Sequence, residues 1–309
     1  MESTQLRVFA AVARSGSITG AAESLHTVQS NVTMHIRALE DELGVRLLHR
    51  HRRGVSLTHA GEQLLPYAVK SQGVLDEARQ AVLGRDRSPM GVLRVGTLET
   101  TAAIRLPQIV AQFGAKHPEV DLSLVTGTTG ALSKEVLAYR LEGAFVAGPA
   151  LDPALVEEKV FVEELVVLTS PKIRDLRELS KTRDEVKILV FREGCSYRTR
   201  LERILQEKGV RKIKVMEFGT LDGILGCAAA GLGITMLPKA LLCTAQDRSK
   251  VGVHRLAPSE ARVETIFIRR RDGFVGPALA AFMEFARQFR SGDAPRAVHP
   301  RNGNGRARS

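Results

Sequence analysis

The chain has 309 residues with a hydrophobic fraction of 44%, enough for two domains with buried cores. It contains no apolar run long enough to cross a membrane, and its N-terminus lacks the basic start and apolar block of a signal peptide. Three scattered cysteines without a CxxC pair fit a reducing cytosol and exclude a disulfide framework or zinc site. A net charge of +11 favours a polyanionic partner.

The stretch from residue 17 to residue 44 predicts two short amphipathic helices joined by a tight turn, which is a helix-turn-helix. Ser17 is a candidate N-cap of the first helix, and Gly44 ends the second. A further helix over residues 5–15 is expected to pack behind them. Apolar residues three and four apart mark the inward faces, namely Ile18, Ala21, Ala22 and Leu25 on the first helix and Val32, Ile36 and Leu39 on the second.

The same spacing leaves a polar surface on the second helix. Gln29, Ser30, Thr33, Met34 and Arg37 then face outward or to the flanks. Gln, Ser, Thr and Arg are residue types that hydrogen-bond base edges and phosphates. These five residues are therefore predicted to contact DNA in the major groove.

A hairpin is predicted over residues 47–57, with Gly54 at its tip. Arg50, Arg52 and Arg53 cluster in this hairpin, close to Arg46. Such a basic wing beside a helix-turn-helix is expected to lie on the phosphate backbone or in the minor groove. The alternative for clustered arginines is a solvated surface.

Taken together, these motifs resemble the DNA-binding domain of LysR-type transcriptional regulators. The chain departs from the family pattern at Val28, where Ser or Thr is usual, at Ser30-Asn31 in place of Pro-Ala, and at Leu48 in place of Phe. The resemblance covers about sixty residues and rests on Ala21-Ala22, Gln29, Thr33, Ile36, Leu39-Glu40, Leu43-Gly44, Leu47-Leu48-His49-Arg50 and Leu57-Thr58-His59-Ala60-Gly61.

A long helix is predicted from Thr58, as N-cap, to about residue 86, with Pro66 expected to bend it. Its apolar stripe suits a partner helix, and the resemblance implies a linker helix that pairs two subunits, with a tetramer formed through the effector domains. The alternative is a core helix of one domain, but a polar hinge at residues 85–91 favours a domain boundary.

The remainder alternates strands with helices, which predicts an α/β fold with a parallel or mostly parallel sheet. One helix is expected over residues 100–115, and a second α/β block begins near Leu165. The two blocks resemble the two-lobed, periplasmic-binding-protein-like effector domain of the family. The predicted division is a winged helix-turn-helix domain at 1–58, a linker helix at 59–88, an effector domain at 89–290 and a disordered basic tail at 291–309.

Loops at the carboxyl ends of the strands predict a ligand cleft, because open α/β sheets bind ligands there. The resemblance places the family's effector threonines at Thr100 and Thr128. Each hydroxyl alone is better explained as a helix cap, but four such loops on one edge favour a cleft. Arg198 could pair with an acidic effector. The residues expected to bind the effector are Thr100, Thr101, Thr128, Cys195, Ser196 and Thr220.

Cys195 lies between a predicted strand and a helix start, where a thiolate is stabilised. It could be a catalytic nucleophile, a redox switch or a thiol in the ligand cleft, and the last is preferred because no histidine base or nearby resolving cysteine accompanies it. Gly231-Leu232-Gly233 precedes a strand, so it is not a dinucleotide fingerprint. No cofactor or metal is therefore expected.

The sequence thus predicts a cytoplasmic, non-enzymatic transcriptional regulator controlled by a small molecule. The basic lobes and helix starts favour an organic acid or other anionic effector. Its expected partners are double-stranded DNA, the effector, further copies of the chain and RNA polymerase. The alternatives are a cysteine-based redox regulator and an α/β enzyme or solute-binding protein with an accessory helical domain.

Overall fold

A computed structural model describes residues 1–51, 54–83, 88–181, 185–191, 194, 196–243 and 250–289. The helices in this part are α1 (Ser3–Ser15), α2 (Ile18–Ser24), α3 (Gln29–Leu43), α4 (His59–Leu83), α5 (Glu99–Ile104), α6 (Leu106–Lys116), α7 (Thr129–Leu137), α8 (Glu178–Lys181), α9 (Ser196–Glu207), α10 (Leu221–Ala229), α11 (Pro258–Ala261) and α12 (Pro277–Gln288). The strands are β1 (Leu48–His51), β2 (Gly54–Leu57), β3 (Gly91–Thr97), β4 (Val120–Thr126), β5 (Gly143–Ala147), β6 (Leu155–Thr169), β7 (Val186–Val190), β8 (Ile213–Glu217), β9 (Thr235–Pro238), β10 (Gly252–Arg255) and β11 (Arg262–Arg270). A 3-10 helix, Lys239–Cys243, follows β9.

The first three helices confirm the predicted helix-turn-helix. Ser17 caps α2 by accepting the backbone N–H of Gly20 at 3.3 Å. Gly16 and Gly44 end α1 and α3 with φ of 63° and 68°, a conformation that glycine adopts without strain. The apolar faces meet in one core, whose fully buried members include Phe9, Val12, Ala21, Val32, Ile36 and Leu39.

The predicted wing is present as the antiparallel hairpin β1–β2. The N–H of Val55 donates to the carbonyl of Gly16 at 2.8 Å, and a Cβ on Gly54 would lie 2.5 Å from the same oxygen. This close approach fixes the wing to the turn between α1 and α2. Arg52 and Arg53, two of the predicted wing arginines, lie outside the described residues.

Helix α4 begins where the sequence predicts. The hydroxyl of Thr58 accepts the N–H of Gly61 at 3.1 Å and donates to the carbonyl of Arg46 at 2.7 Å. Pro66 lies inside the helix and removes one intrahelical hydrogen bond. The described helix ends at Leu83, residues 85–87 of the predicted hinge lie outside the described residues, and residues 88–90 lead into β3. No helix of the described part is long and apolar enough to cross a bilayer.

Two lobes follow, each with a short parallel unit. In lobe 1, β3 pairs in parallel with β4 and β5, while in lobe 2 β7 pairs in parallel with β8. Helices α5, α6 and α7 connect the strands of lobe 1, and α9 and α10 connect those of lobe 2. The alternating pattern therefore predicted these units correctly.

The expectation of a mostly parallel sheet is wrong for the centre of the domain. The 15-residue strand β6 pairs antiparallel with β9, β10 and β11, and β11 pairs antiparallel with β5. Strand β6 runs through both lobes, so the second block does not begin near Leu165 but is joined to the first by a continuous strand. Its charged residues all lie before Leu165 and residues 165–169 are all buried, so the strand is partly exposed in lobe 1 and fully covered in lobe 2.

The helix predicted over residues 100–115 is two helices. Helix α5 ends at Ile104 and α6 begins at Leu106, with Arg105 between them. Pro107 explains the break, because it has no N–H to continue the first helix but suits the first turn of a new one. Ile104 packs into the core of lobe 2, together with Leu189 and Leu237.

Helix α4 is anchored on lobe 1 at a contact that we call the linker joint, formed by Gly73 and Glu77 of α4 with Tyr139 and Arg270. A Cβ on Gly73 would lie 2.3 Å from the Cβ of Tyr139. Arg270, which is 5% exposed, pairs with Glu77 and stacks 3.6 Å from the centre of the Tyr139 ring. Burial lowers the pKa of Arg270, and burial followed by the charge of Asp272 raises the pKa of Tyr139.

Candidate DNA-binding face and effector cleft

The predicted base-reading residues lie together on α3. Gln29, Ser30, Met34 and Arg37 are exposed, and Thr33 is half-buried at the edge of the same surface. The opposite side of the helix supplies the fully buried core residues described above. This surface offers amide, hydroxyl and guanidinium groups to a groove.

The start of α3 leaves backbone donors open. Val28 occupies the N-cap position, is 65% exposed and supplies no side-chain hydrogen bond to the first turn. The side chain of Asn31 instead donates to the hydroxyl of Thr27 at 2.9 Å. Uncapped N–H groups at a helix start can bind a phosphate oxygen. Val28 therefore offers no side-chain hydrogen bond at this position, and the backbone N–H groups of the first turn are the groups available to an anion.

Glu40 connects α3 to the wing, a role that was not predicted. It is 5% exposed and accepts the backbone N–H groups of Leu47 at 2.8 Å and Leu48 at 3.2 Å. Arg46, which is 77% exposed, pairs with its second oxygen at 3.3 Å. The available signal was a glutamate four residues after Ile36, on the buried side of the helix.

Arg50, the predicted wing arginine that lies within the described residues, is exposed on β1.

A second candidate site is the cleft where the two lobes meet. Lobe 1 contributes the segment after β3 and the start of α7, and lobe 2 contributes the end of β7 and the start of α9. These are carboxyl ends of parallel strands, the edge at which such sheets bind ligands. The lining residues are Leu98, Glu99, Thr100, Gly127, Thr128, Phe191, Ser196 and Tyr197.

The cleft is closed. A Cβ on Gly194 of lobe 2 would lie 2.8 Å from the hydroxyl oxygen of Thr128 in lobe 1. The hydroxyls of Thr100 and Tyr197 are 3.5 Å apart. The remaining space is about 10 Å³, room for one water at most. A metabolite therefore enters only if the lobes separate or Tyr197 turns away.

Three of the predicted effector residues line this cleft. Thr100 is 3% exposed, and Thr128 also caps α7 by accepting the N–H of Ala131 at 3.4 Å. Ser196 is the first residue of α9. Tyr197 was not predicted as a site residue, although an aromatic residue directly after a hydroxyl at a strand end was available as a signal.

The other three predicted effector residues do not join this group in the described structure. Thr101 is 4% exposed but is not a lining residue. Thr220 is exposed and caps α10, accepting the N–H of Gly223 at 3.2 Å. Cys195 lies outside the described residues, while Cys227 is half-buried on α10.

Arg198 has other partners than the acidic effector that the sequence favoured. Its guanidinium pairs with Glu202 at 3.1 Å and with Glu217 at 3.1 Å. Arg105, between α5 and α6, is likewise engaged, in a largely buried bidentate pair with Glu163 at 2.8 and 3.1 Å. Neither arginine is left to neutralise a ligand carboxylate.

Comparison with protein families places this architecture among known regulators. Residues 3–62 match the model of the bacterial regulatory helix-turn-helix protein, lysR family, and residues 86–291 match the LysR substrate binding domain. The chain is 44% identical over 282 residues to the HTH-type transcriptional regulator GltR of Bacillus subtilis, covering 91% of this chain and 95% of GltR. It is 42% identical over 285 residues to YofA of the same organism, covering 92% and 98%.

Solved structures show the same fold. A cysteine variant of full-length OxyR from Pseudomonas aeruginosa has a TM-score of 0.71 at 21% identity, covering 94% of both chains. Full-length CbnR in complex with its target DNA has a TM-score of 0.66 at 25% identity, covering 94% of this chain and all of CbnR. At this identity the likeness to OxyR concerns the fold alone.

Proposed function

Because this chain belongs to the LysR family of bacterial helix-turn-helix transcriptional regulators, we propose that it reads promoter DNA under the control of a small organic anion. Its curated relatives are named as transcriptional regulators, so it is a regulator rather than an enzyme. The single observation that carries DNA reading is the exposed polar face of α3 beside an uncapped helix start and the wing.

In this proposal, Gln29, Ser30, Thr33, Met34 and Arg37 contact base edges in the major groove. Arg50, with Arg52 and Arg53, holds the wing on the backbone or in the minor groove. The solved complex of CbnR with its target DNA supports DNA binding by this fold. The rigid connection of α3 to the wing through Glu40 supports the two elements acting as one unit.

A gel-shift experiment tests DNA reading directly. The purified full-length protein should retard a fragment carrying the region upstream of its own gene, and unlabelled random DNA should not displace it at physiological salt. Salt must be fixed because phosphate contacts alone give sequence-independent binding. Equal competition by random DNA would contradict a specific site on that fragment.

The effector is proposed to bind between the lobes, at Thr100, Thr128 and Ser196. Buried hydroxyls and two helix starts at one closed cleft support this assignment. A thermal-shift screen of small carboxylates would identify ligands. Thr100→Val should then lower the affinity for any such ligand, because it removes a buried hydroxyl and keeps the shape. Thr220→Val is the matched control, since Thr220 caps α10 outside the lining group. A ligand that binds both variants equally does not use this cleft.

The remaining parts of the proposal concern assembly. Exposed apolar residues on α4 support pairing of two subunits through the linker helix, within the division 1–58, 59–88, 89–290 and 291–309. The proposal also includes a tetramer formed through the effector domains. It further includes contact with RNA polymerase and a cytoplasmic location. Residues 291–309, proposed as a disordered basic tail, lie outside the described residues.

A further inference from the structure

The closed cleft contains a carboxylate that the effector must accommodate. Glu99 is the first residue of α5, is half-buried and lines the cleft beside Thr100. It makes no hydrogen bond or ion pair with any residue of the described part. Of the described residues that line the cleft, Glu99 is the one with a charged side chain. Within the part of the chain that the structure describes, this carboxylate therefore has no counter-ion.

Two arginines of the described part lie close to the lining residues along the chain, and both are paired with other residues. Arg198, in the first turn of α9, pairs with Glu202 and Glu217, while Arg105, directly after α5, pairs with Glu163. Among the described residues, hydroxyls and backbone N–H groups are therefore the groups left to hold an effector carboxylate. Thr128 and Ser196 supply these at the starts of α7 and α9.

An effector that carries only a carboxylate would bring a second negative charge next to Glu99 in a site that excludes water. Two such charges at short range repel strongly in surroundings of low dielectric constant. An ammonium group on the same effector removes this conflict, because it pairs with Glu99 while its carboxylate binds the hydroxyls and helix starts.

We infer that the effector is a zwitterion of the amino-acid class. Its ammonium group lies against Glu99, and its carboxylate lies near Thr128 and Ser196. It enters by displacing the ring of Tyr197 from its 3.5 Å contact with the Thr100 hydroxyl. This inference rests on the proposed function of the cleft and narrows the organic-anion class to molecules that also carry a cation.

A matched ligand panel tests the inference on the wild-type, full-length protein. Each L-amino acid is compared with the 2-hydroxy acid and the 2-oxo acid of the same side chain, first by thermal shift and then by calorimetric titration of every hit. The expected result is binding by at least one amino acid, weakened on the order of tenfold or more when the amino group is replaced by hydroxyl. This comparison needs no substitution in the protein.

The variant Glu99→Gln provides the second arm. It should lower the affinity for that amino acid by on the order of tenfold, and the affinity for its hydroxy-acid counterpart should stay the same or rise, because the repulsion is gone. Glu119→Gln is the control, since Glu119 is exposed in the turn before β4. Unchanged amino-acid binding by Glu99→Gln would overturn the inference.

The outcomes separate this inference from the proposed function. If a hydroxy acid or dicarboxylate binds the wild type as tightly as the amino acid, and Thr100→Val abolishes that binding, the cleft is the effector site but the effector is not a zwitterion. Binding that neither Thr100→Val nor Glu99→Gln weakens overturns both. A panel in which no amino acid binds at millimolar concentration rejects the inference.

Discussion

Gln29 is exposed at the first position of α3, where its amide can reach a base edge. Gln29→Ala should cost roughly 1–3 kcal/mol at the specific site and little on random DNA, because a lost base contact carries sequence information. Arg50→Ala should instead weaken binding to both and lower the salt slope by about 1. Anisotropy titrations on the two DNAs measure both effects, with Gln63→Ala on α4 as the control. If Gln29→Ala lowered the affinity for specific and for random DNA equally, Gln29 would not contact a base.

Glu40 gives a test of the connection between α3 and the wing. Glu40→Ala leaves the N–H groups of Leu47 and Leu48 without their acceptor, at a cost of about 1–3 kcal/mol for each buried group. Glu40→Gln keeps one acceptor oxygen, so it should lose less stability than Glu40→Ala. Thermal unfolding of the full chain ranks the stabilities of the two Glu40 variants, and Asp41→Ala, at the exposed neighbouring residue, is the control. Similar melting of Glu40→Ala and Asp41→Ala would mean that the carboxylate does not hold the wing.

Individual residues also show which contacts could be predicted from the sequence and which could not. Helical spacing predicted Val32, Ile36 and Leu39 as core residues because burial within one helix follows its 3.6-residue period. Tyr197 could not be placed in this way. It meets Thr100 across 97 residues of chain, and only the folded lobes bring the two hydroxyls together.

At the scale of elements, the linker joint depends on a glycine in α4. Gly73→Ala adds a methyl group that would lie 2.3 Å from the Cβ of Tyr139, so α4 and lobe 1 must separate locally. Gly114→Ala on α6 makes the same change where no atom lies within 4 Å. The control should be stabilised by up to about 1 kcal/mol through helix propensity, whereas Gly73→Ala should be destabilised. Thermal unfolding and limited proteolysis of the full chain measure both. Equal stabilisation of the two variants would contradict a tight joint.

Glu142 lines a cavity of about 340 Å³ beside this joint. Burial, with a smaller contribution from Asp76, raises its pKa, although its hydrogen bond from the Arg94 N–H opposes the shift. Because the pKa of Glu142 is higher in the folded than in the unfolded chain, ionising this carboxyl destabilises the fold. The cost is complete above the folded-state pKa and disappears as pH falls below the unfolded-state pKa. Glu142→Gln keeps the acceptor without the charge.

The variant should therefore be more stable than the wild type at neutral pH, and the difference should shrink as pH falls through the carboxyl range. Denaturant unfolding between neutral pH and about pH 4 measures this trend, since unperturbed glutamate titrates near that value. A difference that is constant with pH, or that grows as pH falls, would contradict the burial cost.

The two features that the sequence analysis missed have different physical causes. The break between α5 and α6 follows from Pro107, which starts a new helix inside the range predicted as one helix. The first half of strand β6 was missed because its partner there, β11, comes from a distant part of the chain. Local alternation predicts that a strand exists, but not which strand it pairs with or in which direction.

At the scale of the whole molecule, α4 leaves an apolar stripe uncovered in the single chain. Tyr67, Val74, Leu75 and Val82 are 68%, 46%, 38% and 83% exposed, and their spacing of seven to eight residues puts them on one side. Val74→Glu should lower the mass of the full-length assembly in sedimentation, because it places a charge in the proposed helix pair. Leu151→Glu is the control, since Leu151 is 93% exposed on the loop before β6. An unchanged mass for Val74→Glu would exclude this stripe as the interface.

The two lobes were predictable from their repeated strand–helix pattern, but their mechanical connection was not. Strand β11 begins at Arg262, opposite the lobe 2 part of β6, and ends at Arg270 under α4. One strand therefore connects lobe 2 with the linker joint. In the proposed function, this strand links the effector cleft to the helix that pairs two subunits.

The linker joint also decides where this protein can be cut and recombined. Gly73 and Glu77 are matched to Tyr139 and Arg270 of lobe 1, whereas the preceding Gln72 still donates to the carbonyl of Ser3 in α1. A hybrid that joins this DNA-binding domain to the effector domain of another family member needs its junction before Gly73. A junction placed after Glu77, at the apparent hinge, would set a foreign effector domain against an unmatched helix and uncouple ligand from DNA.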